Sequence, residues 1–222
     1  MEGKDRWKSM KKELEYFTIE EAFGGNQDWF TNVVMNIGGC AAATACDSCI
    51  YFAKYLGMEE WYPYDISHLT REEYKSFSQM MKPYLRPRVG GVKKLEWYIE
   101  GLDRYVREIN EKRSCKYQIT MEEFSGDHTY EEAAEKIKGQ IEAGYPVPYL
   151  MLKHKDVEQY RDFIWHWFLI VGYEETDTKM WITAATYGEA SRLSLKELWD
   201  TGYEEKGGFI LYSDVKNKLV HE

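Results

Sequence analysis

The 222-residue sequence has no long apolar run. Residues 167–171, with 163–165 just before them across His166, fall far short of the roughly 20 residues that cross a bilayer. The opening stretch MEGKDRWKSMKKELEYF is charged throughout and has no apolar heart of a secretory signal, so a cytoplasmic location without a membrane partner is expected. Cysteines are few, four in all, and three of them crowd into residues 40–49, which excludes a spread disulfide framework. Positive charge is in deficit. The 29 Lys and Arg face 38 Asp and Glu, a formal net charge of −9, so a general phosphate-backbone binder is excluded and no nucleic-acid partner is expected. Proline numbers five and no segment is low in complexity. What the chain has in excess is aromatic surface, 16% of residues with 8 Trp and 18 Tyr, which an unstructured chain would not carry.

The first half reads helical. Residues 40–56 are Ala-rich, with Gly38-Gly39 before and Gly57 after, a helix with glycine start and stop. Thr70 with Glu73 forms a capping-box pattern that opens a helix over 70–81, and Leu95, Ile99, Leu102, Val106 and Ile109 mark another over 92–111. After residue 115 the period changes. Strands are expected at 117–121, 147–152, 166–173, 180–183 and 208–212, with helices over 129–143 and 194–199. Helices first and strands later give an α+β order: a helical lobe over about 1–114 and a sheet lobe over about 115–222, together one domain.

Cys40 stands at the head of the predicted 40–56 helix. A helix N-terminus carries partial positive charge and unpaired N–H groups, and both favour a thiolate, so the thiol pKa is expected to fall. The competing reading is an inert buried cysteine. His166 is the lone ionisable side chain in an apolar strand, where a neutral imidazole could take the Cys40 proton and return it to a leaving group; alone, it would read as a core histidine. Cys46 and Cys49 form a C-x-x-C, yet at about 100° per residue they face away from Cys40 and have no second ligand pair. They read as packing residues; no metal and no organic cofactor is expected. Lys153-His154-Lys155 reads as a solvated basic spot.

A Cys opening a small-residue helix, then His166-Trp167 with Val171-Gly172-Tyr173, resembles the papain-like cysteine peptidase superfamily. The bacterial branch that processes bacteriocin leaders is the nearer likeness. Gly144-Tyr145-Pro146-Val147 resembles the segment before its His strand, and residues 181–188 with 193–198 resemble its closing strand, turn and helix. The likeness covers about 24–56 and 140–212. It implies a papain-like fold with a cleft between two lobes, Cys40 as nucleophile and His166 as base. A glutamine a few residues before the Cys implies an oxyanion donor. The nearest here is Gln27, thirteen residues upstream, with Asn36 as a substitute. The family also orients its histidine with an Asn or Asp, where this chain has Ala184 or Ala185; Thr183 or Thr186 could serve weakly.

Two functions stay open. One is a thiol hydrolase or acyltransferase acting on a peptide, or on a small amide or thioester. The other is a non-catalytic papain-like binding module whose former cleft is lined by aromatics such as Trp29, Trp165 and Trp167. Residues 57–139 are unmatched, and their helical part, about 57–114, is expected to shape the cleft.

Overall fold

The protein, described by a computed structural model over residues 10–87 and 91–217, is an α+β fold built on antiparallel strands. In chain order the elements are β1 (Met10–Glu13), β2 (Thr18–Ile19), β3 (Ala22–Phe23), α1 (Val33–Gly38), α2 (Cys40–Leu56), α3 (Arg71–Met81) and α4 (Leu95–Arg113). Then follow β4 (Tyr117–Ser125), α5 (Tyr130–Glu142), β5 (Val147–Met151), α6 (Val157–Tyr160), β6 (His166–Glu175), β7 (Met180–Thr186), β8 (Glu189–Ser194), α7 (Leu195–Trp199) and β9 (Gly207–Asn217).

Capping chemistry sets several helix limits. Thr70 accepts from the Glu73 N–H at the start of α3, and Thr129 forms a complete capping box with Glu132 at the start of α5. Gly57, at φ 75°, ends α2 in the left-handed conformation that glycine adopts without penalty. The helix foreseen over 92–111 begins instead at Leu95 and runs to Arg113.

The seven-stranded sheet has the order β4-β9-β5-β6-β7-β8, and β1 also pairs with β6. β5 covers His166 to Ile170 of β6 while β1 covers Gly172 to Glu175, so the two share one edge of the strand. Residues 10–13 therefore belong to the sheet. This corrects the expectation of a helical lobe running over 1–114, because residues 10–13 are strand.

Helices cover both faces. Along β6 the side chains alternate. Trp167 joins a core with α2, α3 and α4, whereas Phe168 and Ile170 join a second core with Ile137 and Ile141 of α5 and Leu198 of α7. α2 is buried at thirteen of its positions, from Cys40 to Ala53, which marks it as a central helix with no solvent face to spare. Its small residues let neighbours come close. A chain of buried hydroxyls locks it in place: Tyr212 donates to Ser48 Oγ at 3.1 Å, Tyr98 lies 3.2 Å from the Tyr212 hydroxyl, and Ser48 donates to the Thr44 carbonyl at 3.0 Å. These groups link α2, α4 and β9 and satisfy one another away from water.

Candidate active site

α1 runs straight into α2 through Gly39, whose N–H still bonds the Met35 carbonyl at 2.8 Å. A Cβ at Gly39 would lie 2.3 Å from that carbonyl, so only glycine permits the junction. The next residue, Cys40, is thereby held at the first turn of α2 and is 5% exposed. Backbone N–H groups of Trp167, Ala41 and Cys40 itself favour the thiolate, as the helix-head reading expects. Burial outweighs them, and the thiol pKa is raised rather than lowered. The expected fall is thus corrected: desolvation wins, and no cation among the described residues offsets it.

His166 opens β6, is also 5% exposed, and faces the same small cavity as Cys40 and Gln27. Its Nε2 lies 2.7 Å from Thr186 Oγ1, and the Tyr187 hydroxyl lies 3.3 Å from Nδ1. In a neutral imidazole one nitrogen donates and the other accepts, so the two hydroxyls match the ring whichever tautomer holds. Burial depresses the His166 pKa to about 3, which keeps the ring uncharged. Of the candidates to hold the ring, Thr186 is the one in contact. Thr183 donates instead to Glu13 at 2.8 Å, and Ala184 and Ala185 are buried in the sheet.

Gln27 is brought to the cavity by a short 3-10 turn over Gln27–Trp29 that Asn26 caps. Its Nε2 donates to the Asn36 carbonyl at 2.6 Å, which leaves that nitrogen a second N–H, while Oε1 is buried without a partner. Asn36 does not line this cavity. Its side-chain amide turns to the Asp28 carbonyl at 3.3 Å, and it contributes only its backbone oxygen to Gln27. Trp29 lies outside the cavity, edge-on to Tyr74 at 5.7 Å with the Arg71 guanidinium over its face at 5.0 Å. Trp167 buries its indole in the helical core, donating to the Val92 carbonyl at 2.6 Å and stacking on Tyr98; it serves Cys40 through its backbone. Trp165, beside His166, is largely exposed and lines a different groove.

Two cavity residues have no place in the sequence reading. One is Tyr187, stacked on the His166 ring at 4.6 Å and 6°. The other is Asp47, a lone carboxylate in an otherwise apolar helix, a signal that the sequence does display. Asp47 accepts from Tyr16 at 3.0 Å, Tyr74 at 2.8 Å and the Gly25 N–H at 3.1 Å. Burial lifts its pKa to about 6 against the opposing pull of these bonds. A Cβ at Gly25 would meet the Tyr74 hydroxyl at 1.9 Å, so glycine there lets the loop that carries Gln27 dock on Asp47.

The remaining cysteines are free thiols, and Cys46 and Cys49 are wholly buried. Cys115 donates to Asn110 at 3.2 Å. Among the described residues no cluster of three His, Cys, Asp or Glu is placed to hold a metal ion, and no helix is long and apolar enough to cross a membrane. His154 is buried rather than solvated: its Nδ1 accepts from the Asp156 N–H at 3.0 Å and its Nε2 lies 2.9 Å from the Glu197 carbonyl. No protein-family model matches the chain, and no curated protein matches its sequence.

Proposed function

We propose that the chain is a papain-like thiol hydrolase or acyltransferase that attacks an amide or thioester carbonyl through Cys40 and His166. The observation that carries the reading is one cavity shared by Cys40 at a helix head, His166 at a strand head and Gln27, with Thr186 on Nε2 of the imidazole. On this reading α2 to α4 form one lobe, the sheet forms the other, and substrate enters where the head of α2 meets β6 and β7.

The steps follow from the groups present. His166 Nδ1 takes the Cys40 proton while Thr186 holds Nε2. The sulfur adds to the carbonyl carbon, and the developing oxyanion accepts from the Cys40 backbone N–H and the second N–H of Gln27 Nε2. The imidazolium then protonates the leaving nitrogen or sulfur as its bond to carbon breaks. Water or an amine, giving its proton to His166, resolves the thioester acyl-enzyme.

The test is incubation with a panel of peptide amides and acyl thioesters, read by intact mass for an acyl adduct on Cys40. Cys40→Ala should abolish the adduct, and His166→Ala should slow its formation by about 10²–10⁴-fold. A second reading, a binding module, is favoured by the raised thiol pKa of Cys40. It gains the ground if no panel member acylates Cys40 and ligands bind the Cys40→Ala variant as tightly as wild type.

A further inference from the structure

Tyr187 and Gly188 alone join β7 to β8, since the ladder closes at Thr186 with Glu189. Their φ values are 53° and 75°. Two left-handed residues in succession make a hairpin turn whose first position suits Asn, Asp or Gly and penalises a large aromatic. Such a residue persists only where its surroundings over-determine it. Here they do: Asn26 Nδ2 donates to the Tyr187 carbonyl at 2.9 Å, the Gly188 N–H bonds Gly25 at 2.9 Å, and the Phe23 N–H bonds Gly188 at 2.8 Å. All three anchors lie on the segment that leads into Gln27. The turn's backbone is therefore pinned, while the side chain makes its ring contact and its hydroxyl contact with the same residue, His166.

The ring is half-buried, with the imidazole beneath it. Behind it the cavity of Cys40, His166 and Gln27 has about 10 Å³ of room, enough for one water at most and far too little for an acyl group. Tyr187 lines that cavity together with Cys40, and burial is the main cause that pushes its hydroxyl pKa up to about 12.

We infer that Tyr187 is a side-chain cap on the Cys40–His166 site, resting on the imidazole while the site is empty and swinging away to admit the acyl group. This rests on the Cys40–His166 reading above. When the ring leaves, the hydroxyl also releases His166 Nδ1, the nitrogen that must take the thiol proton. Entry of substrate and arming of the base are then one event, carried by side-chain rotation on a fixed turn.

The test is the alkylation rate of Cys40 by iodoacetamide at neutral pH, mapped by peptide mass against Cys46, Cys49 and Cys115. An open state populated at 0.1–10% means that Tyr187→Ala speeds alkylation by roughly 10–1,000-fold. Tyr187→Phe keeps the ring and should stay close to the wild-type rate. Should Tyr187→Ala fail to fold, Tyr187→Asn, which suits the turn, takes its place. Alkylation at the wild-type rate in a folded Tyr187→Ala protein overturns the cap, as does equal acceleration in Tyr187→Phe. Adding His166→Ala separates the two claims. Acceleration that survives it unchanged upholds the cap and sinks the Cys40–His166 pair; slowing by His166→Ala alone, with no acceleration in Tyr187→Ala, does the reverse.

Discussion

A hydroxyl, not a carboxylate or amide, sits 2.7 Å from His166 Nε2. It can hold the ring but carries no charge to stabilise an imidazolium. Thr186→Val, nearly the same shape, removes a bond worth about 0.5–1.5 kcal/mol, so acyl transfer should slow about 2- to 10-fold with KM unmoved. Thr186→Ser should restore the rate, and a Thr186→Val protein of wild-type kcat would dismiss the role. The neutral imidazole and the raised thiol pKa also fix how Cys40 responds to pH. Alkylation of the wild-type thiol should climb steadily into alkaline solution; a plateau across about pH 5–8 would instead reveal a resting thiolate–imidazolium pair. Asp47 supplies a second titration. Its folded pKa of about 6 lies above the ordinary carboxylate value of 3.8, so the folded state holds the proton more tightly. Stability from this group is present at low pH and lost as pH rises through about 6. Urea midpoints should therefore show wild type gaining on Asp47→Asn by about 2 kcal/mol between about pH 7 and 4. A constant gap between the two proteins would contradict it. At this scale Cys40 and His166 are legible because each breaks a pattern, a thiol after two glycines and an imidazole among apolar residues. Tyr187 is not, because Tyr-Gly lacks the Asn or Asp that advertises a left-handed turn, and Asp47 is masked by the cysteines that bracket it.

Among the elements, those with strong local chemistry are where the sequence puts them. α2 spans Cys40–Leu56 as its flanking glycines require, and the helices opening after Thr70, Thr129 and Ser194 begin at their caps. The caps differ in completeness. Thr129 and Glu132 exchange both bonds, so Thr129→Ala should cost about 1 kcal/mol in a denaturant titration. A loss below about 0.3 kcal/mol would mean that α5 is held by tertiary packing alone. Elements without such chemistry are harder to read. β8 is short, polar and mostly exposed at the sheet edge, and β1 is four residues of Met, Lys and Glu; neither shows the apolar alternation that marks a half-buried strand. β8 takes its place from the two-residue hairpin that returns it along β7, and β1 from pairing with β6 across a long stretch of chain. α1 escapes notice because Val33, Val34 and Ile37 are exposed, so its residues give no inward-facing stripe.

For the molecule as a whole, α2 is the pivot, packed on one side by α3 and on the other by β5, β6 and β9. Its amides from about Thr44 to Ala53 should exchange with solvent only through global unfolding, whereas those of β8 exchange through local opening. Hydrogen-exchange mass spectrometry in rising denaturant checks this, and fast exchange in α2 would refute it. The same pivot is tied in place by the Ser48, Tyr98 and Tyr212 hydroxyls, which come from α2, α4 and β9. Deleting one strands its neighbours without water, while replacing all three by Ala, Phe and Phe removes the need for any of them. Evolution therefore has few single steps through this triangle. Descendants of a common ancestor should carry it entire or not at all, with positions 48, 98 and 212 changing as a set.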